Sequence, residues 1–246
     1  MRASLGLLRS LVVYWRPGRQ AGLRRMYAPF VGPGDLVFDV GAHLGDRTAA
    51  FAALGARVVA LEPQPSLVPW LRRLVGSRPG VMLRAEAVGR EAGTATLAVS
   101  RANPTVSTLA EAWRETLALR NRSFEGVLWD ASVDVPVTTL DALIDEYGLP
   151  AFCKIDVEGH EAEVLAGLGR AIPALSVEFV SGTHDVTRAC FDRLARLGDY
   201  EYNVIPGEKR RFVFDHWQER AELEAWLDGG ADGATSGDVY ARLRGP

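Results

Sequence analysis

Between Asp35 and Val180, short apolar runs alternate with longer stretches in which apolar residues recur every three or four positions. Leu36–Val40, Arg57–Leu61, Val81–Val88, Phe152–Val157 and Leu175–Val180 are nearly continuous apolar runs. That is the pattern of strands covered on both faces, not of strands with one face in water. The intervening segments Asp46–Leu54, Ser66–Val75, Thr139–Tyr147 and His160–Leu168 carry helical periodicity, with Ser66 or Gln64 as cap of the second. A further helix is expected at Val186–Leu197 and a short one at Ala221–Leu227. Asp199–Ile205 and Arg211–Phe214 suggest a closing hairpin around Pro206-Gly207-Glu208.

Strands alternating with helices predict an α/β fold: a mostly parallel sheet with helices on both faces. The alternation breaks after the third strand. Thr94–Ser100 reads as an extra strand, and residues 101–132 have no evident place in the sheet, although Glu111–Leu119 has helical spacing. Insertions of this length commonly form lids or binding loops. The expected organisation is an N-terminal helical extension over 1–34 and one α/β domain over 35–246.

Composition narrows the class. The chain has 246 residues, 48% of them hydrophobic, with 28 basic and 31 acidic side chains. Disorder and a generally basic nucleic-acid-binding surface are both disfavoured. The two cysteines, Cys153 and Cys190, form no CxxC pair, which argues against a disulfide scaffold or a cysteine-rich zinc site. Charge is unevenly placed: residues 1–34 hold six arginines and no acid. Leu5, Leu7, Leu8, Leu11, Val12 and Val13 there suggest a signal peptide, but Arg9 interrupts the run and no small-residue cleavage site precedes Arg16. No stretch is long enough to span a membrane. A basic amphipathic helix can lie on an anionic surface. The favoured expectation is instead a helix packed on the domain with its arginines in water, in a cytoplasmic protein.

Ligands of open parallel sheets bind beyond the carboxyl ends of the strands, and four segments there carry chemistry. In Asp39-Val40-Gly41-Ala42-His43-Leu44-Gly45 a strand runs into a glycine turn and a helix. Gly41 permits the turn and a close ligand approach, and Gly45 eases helix packing. The spacing is G-x-H-x-G, not G-x-G-x-x-G, which disfavours a pyrophosphate and suits an ammonium-bearing ligand held by Asp39. Glu62, before Pro63, ends the second strand, where a carboxylate can accept from both ribose hydroxyls. Glu86-Ala87-Val88 can flank an adenine ring. In Lys154-Ile155-Asp156-Val157-Glu158-Gly159-His160-Glu161, three carboxylates and an imidazole crowd one strand end, an arrangement characteristic of working sites.

These four segments, with Thr139-Leu140-Asp141, resemble the FkbM family of S-adenosylmethionine-dependent methyltransferases over roughly residues 35–180. His43 stands where that family often has asparagine, and Ser107-Thr108-Leu109 is only weakly similar to the family pattern. The resemblance implies a class I methyltransferase, with a Rossmann-like, mostly parallel seven-stranded sheet. It implies S-adenosyl-L-methionine as cofactor and O-methylation of a hydroxyl on a sugar, polyketide or other secondary metabolite. By carry-over, Asp39, Gly41 and Gly45 lie on the methionine side, Glu62 at the ribose, Ala87 at the adenine edge and Asp156 at the methyl group. Ala42, His43, Pro63 and Glu86 are further cofactor-binding candidates. Asp156, Glu158, His160 and Glu161 are the catalytic candidates, with His184 as an outsider from the loop after the strand ending at Val180.

Glu178 can touch substrate or be structural, and Trp113 can line the acceptor pocket or anchor the insertion. Asp156 with Glu158 can also hold a divalent cation, but no third ligand stands at convincing spacing, so no metal is assigned. A nicotinamide-dependent oxidoreductase would share the sheet and Glu62 but leaves Asp156–Glu161 unexplained. A non-catalytic S-adenosylmethionine-binding scaffold subunit is the other alternative. The expected partner is a small-molecule hydroxyl acceptor, with no nucleic acid.

Overall fold

Leu36–Val40 (β1) is buried along its whole length, as its unbroken apolar run requires of a central strand. It pairs in parallel with Arg57–Leu61 (β2), which pairs with Val81–Arg84 (β3). The computed structural model describes residues 2–121 and 126–245, without the side chains of 2–5 and 118–120, so residues 122–125 of the expected insertion lie outside it. Ala87–Val88 (β4), Gly93–Val99 (β5) and Ala131–Thr138 (β6) form a second, three-stranded sheet in the order β4-β6-β5. Phe152–Ile155 (β7), Ala174–Val180 (β8), Tyr200–Pro206 (β9) and Ser236–Leu243 (β10) complete the main sheet. Its order is β3-β2-β1-β7-β8-β10-β9, with β10 antiparallel to both neighbours.

Nine α-helices are described: Arg2–Tyr14 (α1), Arg19–Tyr27 (α2), Asp46–Ala53 (α3), Val68–Val75 (α4), Glu111–Arg120 (α5), Leu140–Tyr147 (α6), Glu161–Ala166 (α7), His184–Leu197 (α8) and Arg220–Asp228 (α9). One face of the sheet packs Phe38, Val40, Leu61 and Val177 against Leu143, Val164, Leu165 and Phe191 of α6, α7 and α8. The other packs Val37, Val58 and Phe152 against Phe51 of α3 and Leu23 and Tyr27 of α2. This is the expected seven-stranded, mostly parallel sheet with helices on both faces. Among the described residues, no helix is long and apolar enough to cross a membrane.

Four local expectations are corrected. Val81–Val88 is not one strand: the charged pair Arg84–Glu86, 2.7 Å apart, interrupts the apolar run. Beyond it Ala87 and Val88 leave the main sheet to pair with Val137 and Thr138. The closing hairpin is not built from Arg211–Phe214, which touches β9 through Val213 N–H on the Val204 carbonyl. The partner of β9 is β10, where Val239, Tyr240 and Ala241 are buried and the strand fits between β8 and β9. Neither Ser66 nor Gln64 caps α4, whose cap position is Leu67 without a side-chain bond; the Gln64 amide donates to Ser66 Oγ instead.

The fourth concerns the arginines of the N-terminal segment. Arg19 is 1% exposed, with Nε 2.6 Å from Asp46 Oδ2 and Nη1 2.9 Å from Glu208 Oε2. Such a buried cation is tolerable only because both carboxylates face it. Trp15 donates to the Leu44 carbonyl and the Gln20 amide to that of Asp46. The junction of α1 and α2 is thereby fastened to the turn that follows β1.

Candidate functional site

From β1 the chain steps outward to β2 and β3, and it later returns on the other side of β1 to form β7. The ends of β1 and β7 therefore flank the reversal in strand order, where such sheets bind ligands. A cleft opens there, walled by the turn after β1, the end of β2 and the loop after β7. Gly41 sits at its floor with φ +78°, and a Cβ there would lie 1.8 Å from the Asp156 carbonyl oxygen. What this glycine admits is the neighbouring strand end. A Cβ on Gly45 would strike Leu71 and Val75 of α4, so that glycine serves helix packing, as expected.

At one end of the cleft stands Glu62. Its Oε2 accepts from the His43 N–H and its Oε1 from the Gln64 N–H, both at 2.8 Å. Burial nevertheless pushes its carboxyl up to about 7, against those two bonds. Pro63 stiffens the loop between the two donors. His43 holds φ +52° and its imidazole is pushed down to about 4 by burial. His43 Nε2 and Gln64 Oε1 are buried polar atoms without a hydrogen-bond partner, on residues that line the cleft.

At the other end three carboxylates converge. Asp156, Glu158 and Glu178 each offer an oxygen, all within 4.8 Å of one another. Glu178 comes from β8 and is the third carboxylate that sequence spacing did not supply; such a set can bridge a divalent cation. Lys154, 2% exposed, places Nζ 3.0 Å from Asp156 Oδ2 and 3.9 Å from Asp39 Oδ1. Burial opposes ionisation of Asp156, but Lys154 and Arg47 outweigh it and hold the carboxyl below its ordinary range. Glu158 has no such cation: burial and then the charges of Asp156 and Glu161 push it well up. Glu178 is pushed well up in the same way, by burial and by Glu158 and Asp156.

Gly41, Ala42, His43, Glu62, Pro63, Glu86, Ala87, Asp156, Glu158 and His160 all line this cleft. Three expected site residues do not. Asp39 is fully buried beneath the turn, bonded by Thr48 Oγ1 at 2.5 Å and facing Lys154, so it acts on the site through that lysine. Gly45 lies behind the turn. Glu161 is 2% exposed, and its Oε1 accepts from the N–H groups of Val157 and Gly159, which shapes the loop carrying Glu158. Glu158 itself holds φ +55°, and its carbonyl accepts from Thr108 Oγ1 at 2.6 Å. His184 lies outside the cleft. Trp113 packs on Gly159, where a Cβ would lie 2.2 Å from its ring, which fits an anchor of the insertion. Both cysteines are buried core thiols.

The cleft also holds residues that sequence reasoning missed. Tyr14 of α1 stands edge-on to His43 with ring centroids 5.2 Å apart, and burial pushes its phenol upward. Nothing in its surroundings along the chain marks it. Arg47 reaches Asp46 and Glu208 at 3.4 and 3.5 Å while lining the cleft. A cation in the first turn of a helix opposes the helix dipole, and that was a signal available in the sequence. Thr105 and Ser107 bring the 101–132 segment over the site.

Comparison with known proteins places this geometry. The family model of the methyltransferase FkbM domain matches residues 39–193. The chain is 34% identical over 204 residues to the 31-O-demethyl-FK506 methyltransferase FkbM of Streptomyces tacrolimicus, covering 74% of this chain and 77% of that protein. Among solved structures it is similar to the precorrin-6y C5,15-methyltransferase of Geobacter metallireducens, at 12% identity and TM-score 0.46, over 91% of this chain and 87% of that one. It is also similar to a TehB-like methyltransferase of Corynebacterium glutamicum, at 11% identity and TM-score 0.45, over 96% and 97% of the two chains. The family match and the curated relative decide the assignment: the chain belongs to the FkbM methyltransferase family, whose cofactor is S-adenosylmethionine.

Proposed function

We propose that this FkbM-family methyltransferase O-methylates a hydroxyl of a sugar, polyketide or other secondary metabolite by in-line displacement. The observation that carries this reading is a single cleft with a backbone-held carboxylate at one end and an acidic cluster at the other. The residues present fit the cofactor. Each Glu62 oxygen already accepts one backbone N–H and can accept a ribose hydroxyl besides. The unpartnered polar atoms on His43 and Gln64 lie in the same wall. The relative's name, which specifies an O-demethylated acceptor, supports oxygen as the atom methylated.

When bound, S-adenosylmethionine supplies a methyl group on a sulfonium, which departs as a neutral thioether. The chain must align an acceptor oxygen with that methyl and take the proton. Asp156, kept ionised by Lys154, provides fixed negative charge next to the reacting centre. Its depressed pKa makes it a weak base. Glu158 lines the cleft with a raised pKa, so its carboxylate is the stronger proton acceptor once ionised, and it takes the hydroxyl proton in our reading. Tyr14 and the 104–109 segment cover the cleft and exclude water from the transfer.

Calorimetric titration with S-adenosylhomocysteine, with NAD as control, tests the donor half of this reading. Saturable binding of the homocysteine adduct alone is expected. Binding of NAD instead would move the chain to oxidoreductase chemistry, and binding of neither would leave a scaffold subunit. Screening hydroxylated acceptors for release of S-adenosylhomocysteine tests the second half.

A further inference from the structure

Helix α1 presents one face that nothing among the described residues covers. Leu8 and Val12, one turn apart, are 58% and 66% exposed, and Val13 beside them is 40% exposed. Arg9 is exposed among them, and Arg16, two residues past the end of the helix, is exposed as well. The opposite side of the helix, with Gly6 and Ser10, is buried against the domain. Exposed apolar side chains one turn apart, interleaved with arginines and free of acids, are the pattern of a helix that lies in a lipid interface.

The surroundings share that sign of charge. Two clefts run beside α1, one lined by Leu7, Leu67, Val99 and Val133 and the other by Val13, Tyr14 and Pro104. The charged residues lining them are Arg101 and Arg9, with no carboxylate in either. Residues 1–34 hold no acid and, besides Arg19, which Asp46 and Glu208 neutralise, five arginines, in a chain whose net charge is −3. The molecule therefore gathers positive charge around its most exposed apolar helix, while its excess of acid lies elsewhere. Another protein's apolar patch would not require that charge; an anionic bilayer would.

We propose that α1 seats the protein on an anionic lipid surface, with Leu8, Val12 and Val13 entering the acyl boundary and Arg9 and Arg16 at the headgroups. The first of the two clefts shares Gln64 and Pro104 with the cofactor cleft. The seating itself does not depend on methyl transfer.

Flotation of the full chain with phosphatidylcholine vesicles, and with vesicles containing about one third phosphatidylglycerol, tests this. Binding to the anionic vesicles is expected, weakening as salt rises and about tenfold weaker on phosphatidylcholine alone. Leu8→Asp with Val12→Asp should lower anionic-vesicle binding about tenfold or more. S-adenosylhomocysteine affinity should be unchanged in that variant, which shows an intact fold and keeps the result separate from the catalytic reading. Leu149→Asp, at a distant exposed leucine, should bind vesicles like the parent chain. The proposal is overturned if the parent chain ignores anionic vesicles or if the double variant binds them equally. A parent chain that is dimeric by sedimentation, becomes monomeric in the double variant and has no vesicle affinity would assign the face to a second copy.

Discussion

The two ends of the cleft carry carboxylates under opposite regimes: Glu62 is buried, whereas Asp156, Glu158 and, outside the cleft lining, Glu178 are half-buried. Glu62 is fixed by two backbone N–H groups, that of His43 brought beside it by the pairing of β1 with β2 and that of Gln64 in its own loop. Asp156, Glu158 and Glu178 come from two strand ends and are brought together by the sheet. One cation, Lys154, pairs with Asp156, and among the described residues none pairs with Glu158 or Glu178. The first end is organised before any ligand arrives, which suits the cofactor binding proposed for it. At the second, burial and neighbouring carboxylates push Glu158 and Glu178 toward their neutral forms, which suits the proton transfer proposed there. Binding and chemistry should therefore respond to different substitutions.

The largest expected separation comes from Asp156→Asn. Turnover should fall about 10³-fold, the scale of losing one preorganised electrostatic group. S-adenosylhomocysteine affinity should change less than about threefold, because the product analogue carries no sulfonium. Single-turnover rates alongside calorimetry check both halves, and equal losses in binding and rate would erase the distinction between the two ends.

Glu62→Gln should behave in the converse way. Two charge-assisted acceptor sites are replaced by a neutral amide, a change of about 1.5–3 kcal/mol, or about 10–100-fold in S-adenosylhomocysteine affinity. Turnover at saturating cofactor should stay within about threefold. Glu178→Gln is a subtler probe of the acidic end. The charge of Glu158 is among those that raise Glu178, so Glu178 is still neutral while Glu158 titrates, and the acidic limb of the turnover profile should stay in place. A limb that moves about one unit toward lower pH would make Glu178 a charged neighbour of the titrating group.

β1 and β2 have the bounds that their apolar runs predict, because an unbroken buried strand leaves a clear pattern. The position of Glu62 was legible for a similar reason: it ends such a strand. Strand β6 was not, because Pro136 interrupts its alternation of Val133, Val135 and Val137. That proline is tolerated because β4 reaches only Val137 and Thr138. Strand β10 hid behind a more obvious turn at Pro206-Gly207, although Val239-Tyr240-Ala241 has strand composition. Glu178 was named without its role, since only the register of β8 on β7 brings it to Asp156. Asp39 looked like a ligand because its motif places it at a strand tip; full burial over Thr48 and Lys154 makes it a support for that tip.

The smallest predicted effect is also the one that ties the cofactor end to stability. Burial raises Glu62 to about 7 in the folded protein, from an ordinary carboxylate value near 4.5. Between those values the folded state holds a proton that the unfolded state has released, so the free protein loses stability as pH rises through this interval. Glu161, also pushed up to about 7, contributes with the same sign. In the proposed reading ribose hydroxyls donate to Glu62, and they would therefore select its ionised form. S-adenosylhomocysteine affinity should rise about tenfold from pH 6 to pH 8, with the dissociation constant levelling off above the folded pKa. The ligand-induced rise in melting temperature should grow over the same range. In Glu62→Gln the affinity should be flat with pH while the Glu161 contribution to stability persists. A pH-dependent affinity that survives in that variant would place the titrating group elsewhere in the cleft.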